Sequence, residues 1–170
     1  MKLKKVSLLV LVILLNLFVT GCTLVDVGET QKQISDDVAI NKVIDELQGK
    51  ILDISQTSSL SSVEKLESLF TKKVIFDDGL ATEELFAGEY LLSHIYIPIA
   101  FQLPRIKEYK WDKVDIVLEK QMASVEVIGF MKAETDQYVY KLHTTFIFEK
   151  SPEGIWLIRK ISPLFPQELL

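Results

Sequence analysis

The sequence has little of what most catalytic and metal-binding sites need. It has one cysteine, Cys22, and two histidines, His94 and His143, in 170 residues. It contains no glycine-rich phosphate loop, no Gly-x-Ser-x-Gly elbow and no His-Glu-x-x-His pair. These absences exclude the common nucleotide-binding, serine-hydrolase and zinc-peptidase motifs. We therefore predict neither a metal site nor a bound cofactor.

Basic residues are also in short supply. The 19 lysines and arginines face 24 aspartates and glutamates, which gives a net charge of −5 at pH 7. Because Lys2, Lys4 and Lys5 precede any acidic residue, a chain beginning at Cys22 has 16 basic residues and a net charge of −8. This balance argues against nucleic acid as a partner. It also argues against a basic patch for anionic lipid headgroups.

The first 21 residues differ in composition from the rest of the chain. A basic start at residues 2–5 is followed by an apolar run from Val6 to Val19, interrupted only by Ser7 and Asn16. This order, followed by small residues, is typical of a secretory signal peptide. The run of about 14 residues is short for a membrane-spanning helix, which needs about 20.

The junction Val19-Thr20-Gly21-Cys22 resembles the lipobox of bacterial lipoprotein precursors, although leucine is commoner than valine at its first position. The alternative is an ordinary secretory signal with a cysteine nearby by chance. The resemblance implies cleavage before Cys22 and a diacylglycerol thioether on its sulfur, often with an added N-acyl chain. Two or three acyl chains anchor a protein stably. We therefore expect Cys22 to hold the protein on the extracytoplasmic side of a membrane, the outer one if the cell has two.

The chain after the signal peptide divides into a short tether and one domain. Residues 22–35 are mostly polar and are expected to form the lipidated N-terminus and tether, and residues 36–170 a single domain. Ser35 and Asp36 are expected to cap a helix that ends at Thr57. Its apolar stripe has the spacing of an amphipathic helix and consists of Ile40, Ile44, Leu47, Ile51 and Ile54.

Two further helices and a strand are predicted before residue 105. Ser61 and Glu64 have the spacing of a capping box, which predicts a short helix after them. A brief strand, Val74–Phe76, then ends at the turn Asp77-Asp78-Gly79. A third helix is predicted from Thr82 to Tyr96, because Pro98 discourages its continuation.

The second half of the chain is strand-like. Period-two alternation marks strands near residues 114–118, 123–133 and 138–149, and a last strand runs over 155–161. Short connections favour antiparallel pairing of these four strands. The sequence therefore predicts an α+β fold in which N-terminal helices pack on one face of an antiparallel sheet.

This order of elements resembles the nuclear transport factor 2-like superfamily, which includes SnoaL-like and ketosteroid-isomerase-like proteins. The segment Leu69–Asp78 resembles that family's passage from helix to strand, and Gly154–Ile158, with its tryptophan, resembles its last strand. The resemblance covers about residues 36–165. It implies a cone, in which the curved antiparallel sheet wraps around the helices and a pocket opens between them. Such a sheet would bend at Gly129; the alternative is a glycine that is merely tolerated within the strand. The alternative is a small helix-on-sheet module without a pocket.

In the enzymes of that superfamily, acid–base side chains line the cone. The matching residue types are Tyr90 and His94, four positions apart on the third predicted helix, Tyr138 and Tyr140 on one strand face, and Trp111 at the pocket mouth. Each also has a structural interpretation: the tyrosines and His94 as half-buried packing residues, and His143 as a solvent-facing one.

Two functions follow from these observations. The first is a non-enzymatic, membrane-tethered module that binds a small apolar ligand or an envelope protein. The second is an isomerase- or dehydratase-like enzyme with His94 as base and Tyr90 or Tyr140 polarising a substrate oxygen. The outer strand face with Val139, Thr145 and Ile147 is also expected to be able to pair two protomers.

Overall fold

The computed structural model describes residues 27–135 and 138–165, with side chains from Asp36 onwards. Residues Gln33–Leu170 form one compact unit, and of Met1–Lys32 the structure describes only the start of a helix at Val27. The predicted signal peptide and Cys22 lie outside the described residues. No described helix is long and apolar enough to cross a membrane.

Helix α1, Val27–Thr57, has the apolar stripe that the sequence predicted. All five isoleucine and leucine side chains of the stripe are fully buried. The predicted end at Thr57 is confirmed, but the predicted start at Ser35 and Asp36 is wrong. Four of the eight residues 27–34 are glutamate, glutamine or lysine, which are good helix formers, and the helix extends upstream to Val27.

The next segment is less regular than predicted. Helix α2, Leu60–Glu64, is followed by a single 3₁₀ turn, Glu67–Leu69. The prediction of a capping box at Ser61 and Glu64 is wrong. The N-cap residue is Ser59, and its side chain makes no cap hydrogen bond. The buried Ser62 hydroxyl donates instead to the Asp53 carboxylate at 2.6 Å, which joins α2 to α1.

Strands β1, Phe70–Asp77, and β2, Thr82–Phe86, form an antiparallel hairpin. The predicted turn between them is confirmed: Gly79 has φ +85°, and the backbone N–H groups of Leu80 and Ala81 donate to the Asp78 carboxylate. The prediction of helix from Thr82 is wrong, because residues 82–86 pair with β1. Pairing with the preceding strand overrides the local preference of this charged segment.

Helix α3, Ala87–Tyr90, continues as two π-helical stretches, Leu91–Tyr96 and Pro98–Gln102. Ile97 between them has helical backbone angles, φ −58° and ψ −48°. Pro98 therefore does not end the helix as predicted. It begins the second stretch, and its fixed φ of about −65° is a helical value.

Four long strands complete the sheet: β3, Ile106–Glu119; β4, Met122–Ala133; β5, Val139–Lys150; and β6, Trp156–Ile161. They pair antiparallel in chain order, which confirms the prediction for this half. The described sheet has the order β2-β1-β6-β5-β4-β3. It is mixed and not wholly antiparallel as predicted, since β1 pairs with β6 in parallel.

Gly129 lies at an irregularity in the sheet, as predicted. It pairs with Trp111, and the register of β3 shifts between Trp111 and Lys113. A Cβ atom on Gly129 would lie 1.9 Å from the Lys110 carbonyl oxygen. Such a shift is a β-bulge, which bends the strand and increases its twist.

The core lies between the helices and one face of the sheet. The stripe of α1 packs in one buried cluster with alternate residues of β4 and β5, among them Val125, Val127, Phe146 and Phe148. The intervening residues of these strands are mostly exposed. The α+β class and the packing of helices on a single sheet are confirmed, and the sheet therefore has an inner and an outer face.

Candidate functional site

Tyr90 and His94 lie together on the inner side of the helix that begins at α3. Their rings stack with centroids 5.3 Å apart, and His94 also lies 4.2 Å from the Phe76 ring on β1. Tyr90 is 1% exposed and additionally contacts Phe70. The spacing of four residues thus places both side chains on one face, as the sequence indicated.

The His94 imidazole is kept neutral by its surroundings. Partial burial lowers the pKa of His94, and the negative charges of Glu83 and Asp78 oppose that shift. Burial also raises the pKa of Tyr90, so its hydroxyl stays protonated. No described residue hydrogen-bonds the His94 ring, whereas catalytic bases usually have an orienting partner. The arrangement is an aromatic cluster with a neutral imidazole at its edge.

This arrangement predicts a pH-dependent contribution of His94 to stability. In the unfolded chain the imidazole has its ordinary pKa of about 6.5, and in the folded chain that pKa is lower. The unfolded state therefore takes up the proton first as the pH falls below about 6.5. We expect His94→Gln to lose less stability than the wild type between about pH 7.5 and 5.5.

Urea unfolding at the two pH values measures this difference. His143→Gln is the matched control, because His143 is the other histidine and its side chain is 64% exposed. If the wild type and His94→Gln lost equal stability, the burial of His94 would have no energetic consequence.

The other predicted pocket residues do not join this cluster through their rings. Trp111 is 8% exposed and stands edge-on to Tyr109, with ring centroids 4.9 Å apart. Tyr138 is 74% exposed, and Tyr140 is partly buried beside Met131 of β4. The structure thus brings Tyr90 and His94 together, whereas Trp111 packs edge-on against Tyr109 in the same buried cluster.

Tyr109 is a residue that the sequence analysis missed. It is 1% exposed, and its hydroxyl donates to the Leu164 carbonyl at 2.8 Å. Burial raises its pKa well above the ordinary value, so it remains a hydrogen-bond donor. The available signal was the i, i+2 spacing of Tyr109 and Trp111, which is typical of one strand face.

Three cavities bounded by described residues have volumes of about 630, 560 and 190 Å³. None of these three is lined by Tyr90, His94 or Trp111. The 190 Å³ cavity lies between α2 and α3, near Leu60 and Leu92. The other two lie on the outer face of the sheet, where sequence reasoning identified only a possible dimer contact.

The cavity of about 630 Å³ is named here the outer groove. Outward residues of β5 and β6 line it together with the β1–β2 turn and the chain after β6; the principal ones are Asp77, Lys141, His143, Thr145, Ile147 and Lys160. Its volume is within the range of binding pockets, about 300–1,000 Å³. Ile147 and Pro163, both partly exposed, provide apolar surface beside the charged groups.

Charges in the outer groove are partly paired. Lys160 lies 2.6 Å from the Asp77 carboxylate and, with the Gly79 N–H, lowers the pKa of Asp77. His143 lies 2.6 Å from Glu126 of β4, and both side chains are exposed. Lys141 forms no ion pair within the described residues. The groove therefore offers apolar surface and hydrogen-bonding groups without a strong charge of one sign.

The 560 Å³ cavity is less suited to binding. Two of its three cations, Lys73 and Arg159, pair with Glu84, at 3.1 and 3.0 Å. In the described parts of the chain, no three histidine, cysteine, aspartate or glutamate side chains are grouped so that they could hold a metal ion.

Solved structures share this architecture. A nuclear transport factor 2-like protein with a cystatin-like fold from Novosphingobium aromaticivorans matches with a TM-score of 0.60 and 12% identity, over 86% of this chain and 93% of that one. This chain has a nuclear transport factor 2-like fold. No protein-family model and no curated protein matches its sequence.

Two further solved structures carry names that refer to enzymes. A candidate scytalone dehydratase from Novosphingobium aromaticivorans has a TM-score of 0.56 and 13% identity, over 78% of this chain and 85% of that one. A candidate ketosteroid isomerase from Shewanella frigidimarina has a TM-score of 0.53 and 17% identity, over 73% and 93%. Likeness at such low identity establishes the fold alone, since one fold hosts many functions.

Proposed function

We propose that this protein is a lipid-anchored, non-enzymatic module that binds a protein of the cell envelope through the outer groove. The observation that carries the proposal is the position of the cavities relative to the two faces of the sheet. Tyr90, Tyr109 and Phe146 are buried on the inner side of the sheet, whereas outward residues of β5 and β6 line the cavity of about 630 Å³. A small-ligand enzyme needs a reachable pocket among its acid–base groups.

The enzyme alternative has less support. His94 and Tyr90 face each other as stacked rings, and Tyr90 is buried under Phe70 and Phe76. Neither side chain lines one of the cavities described above. Relatives in fold with enzyme names do not transfer an activity, because function depends on the site.

The anchoring part of the proposal rests on Cys22. We expect the full chain made in bacteria to lose residues 1–21 and to gain a diacylglycerol group, with or without an N-acyl chain. Intact-mass spectrometry of the membrane fraction measures both changes. Cys22→Ala should appear unlipidated and outside that fraction. A wild-type chain that is cleaved but carries no lipid would contradict the proposal.

The binding part is tested by blocking the outer groove. Thr145 is exposed within it, so Thr145→Arg adds bulk without disturbing the core. A partner protein is expected to copurify with the cross-linked wild-type chain. With Thr145→Arg the amount recovered should fall at least about tenfold, since each 1.4 kcal/mol lost is a factor of ten in affinity. Val38→Arg, on an exposed position of α1, should retain it.

If Thr145→Arg and Val38→Arg recovered equal amounts of the partner, the partner would bind outside the outer groove, which would contradict the proposal. Recovery of a second copy of this chain, in place of a different protein, would instead support the homodimer expected at Val139, Thr145 and Ile147.

A further inference from the structure

Strand β3 forms one edge of the sheet, because within the described chain it pairs only with β4. An edge strand presents a row of backbone N–H and C=O groups that can pair with another strand. Side chains of α1 cover the first half of this edge. Ser55 accepts a hydrogen bond from the Ile106 N–H at 2.7 Å. Gln48 accepts one from the Trp111 N–H at 2.9 Å. Over residues 113–119, beyond the bulge, no described side chain of α1 hydrogen-bonds the β3 backbone.

This second half of the edge also carries an apolar row that is only partly buried. Its three inward residues, which pack against the core, are Val114, Ile116 and Leu118. Their partners on β4 are at most 1% exposed, and they are Val127, Val125 and Ala123. The inner face of the sheet is thus closed over β4 and incompletely closed over β3. A further strand beside β3 would complete it.

The charges along this edge are complementary to their own copy. If a two-fold axis at Ile116 relates two antiparallel β3 strands, Lys113 lies opposite Glu119 of the second copy. Symmetry makes this contact twice, and opposite charges directly across a ladder stabilise it. Lys113 also pairs with Asp115 of its own chain, but both side chains are exposed and the ammonium group has three donors. On the inner face, the same axis brings the partly buried apolar rows of the two copies together.

Neighbouring registers lack this complementarity. Residues directly opposite each other in a ladder point to the same face, so the two-fold axis must pass through a residue. An axis at Asp115 would place this carboxylate opposite its own copy. An axis at Val117 would place Asp115 opposite Glu119. Because like charges directly opposite are destabilising, the sequence of the edge favours the axis at Ile116.

We propose that β3 is a homodimer interface, in which residues 113–119 pair antiparallel with the same residues of a second copy about an axis at Ile116. The two sheets then join edge to edge, with the same strand on both sides of the contact. Since β4 separates β3 from β5, the outer groove stays open in such a dimer. The proposal depends neither on a partner in that groove nor on a lipid at Cys22.

Disulfide cross-linking in cells that produce the full chain tests the register. Ile116→Cys meets its own copy at the axis, within the Cα separation of about 4.4–6.8 Å that a disulfide spans. Val114→Cys is the matched control, since it is also partly buried but its own copy would lie about 14 Å away along the strand. After oxidation, Ile116→Cys should give at least about tenfold more linked dimer than Val114→Cys. The wild type, whose sole cysteine is Cys22, is the blank.

Charge reversal tests the contact between Lys113 and Glu119. Lys113→Glu places two pairs of like charges across the interface, so the initial rate of cross-linking at position 116 should fall at least about fivefold. Adding Glu119→Lys restores opposite charges and should return the rate to within about twofold of its original value. Lys72→Glu makes the same charge change at an exposed position of β1 and should leave the rate unchanged.

A second pair of cysteines keeps the test decisive if a substitution at position 114 or 116 prevents folding. Asp115→Cys in one copy and Val117→Cys in another lie opposite each other at exposed positions, and they should cross-link when the two copies are produced together. No linked dimer above the wild-type level from either design would overturn the proposal. Equal linking at positions 114 and 116, or a double charge variant no faster than Lys113→Glu, would also overturn it.

Discussion

Replacement of Gly129 by alanine is expected to lower the free energy of unfolding by about 3 kcal/mol or more, the upper range for overpacking a tight site. The added Cβ would lie 1.9 Å from the Lys110 carbonyl oxygen and 2.9 Å from Trp111 Cα. Both are backbone atoms of the neighbouring strand, so no side-chain rotation relieves the overlap. β3 must separate from β4 at the bulge, which would also displace Trp111 and Tyr109.

Thermal unfolding followed by circular dichroism measures the effect. For a domain of this size, about 3 kcal/mol corresponds to a fall in Tm of about 6–12 °C. Gly49→Ala is the matched control, because nothing lies within 4 Å of its added Cβ on helix α1. That variant should be stabilised by about 0.5–1 kcal/mol. A Tm of Gly129→Ala within about 2 °C of the wild type would show that the bulge does not need glycine.

Replacement of Lys150 by methionine is expected to cost about 2–3 kcal/mol. Lys150 pairs with Asp36 near the start of the described part of α1, and both side chains are 14% exposed. Its ammonium group also lies 5.2 Å from the Trp156 ring. Methionine keeps most of the aliphatic stem but leaves the Asp36 carboxylate mostly buried without this cation, which is strongly destabilising.

Lys113→Met tests the same change at the surface. The Lys113–Asp115 pair is 61% and 48% exposed, so its loss should change stability by less than about 1 kcal/mol. Urea unfolding of both variants, with Asp36→Asn added to complete a double-mutant cycle, gives the coupling energy of each pair. Equal effects of Lys150→Met and Lys113→Met would contradict the account. The Lys150–Asp36 pair matters for function because it holds α1, the helix that follows the proposed anchor, to the end of β5.

The elements with strong local periodicity were predictable from sequence. The spacing of Ile40, Ile44 and Leu47 predicted the buried stripe of α1, and the alternation of Leu142 with His143 predicted the faces of β5. In each case a single face contacts the core, so burial follows from the helical or strand period alone.

Elements that depend on pairing with another strand, and not on their own periodicity, were not predictable. Thr82–Phe86 is mostly exposed and has no alternation, and it is a strand because β1 provides its hydrogen-bond partners. The same holds for the start of β3, where Ile106 pairs with Ala133 of β4. The candidate site shows the contrast most clearly. The contact of Tyr90 with His94 follows from helical spacing, whereas that of Tyr109 with Leu164 joins residues far apart in the chain.

Photo-cross-linking in intact cells tests the central claim most directly. Benzoylphenylalanine placed at Thr145 of the full, membrane-anchored chain reports what touches the outer groove, and the same residue at Val38 on α1 is the control. The account predicts a discrete adduct from position 145, heavier than the chain by the mass of one other protein, and none from position 38. Absence of an adduct at 145, the same adduct from both positions, or an adduct of twice the chain mass would contradict the proposal of an envelope partner in the groove.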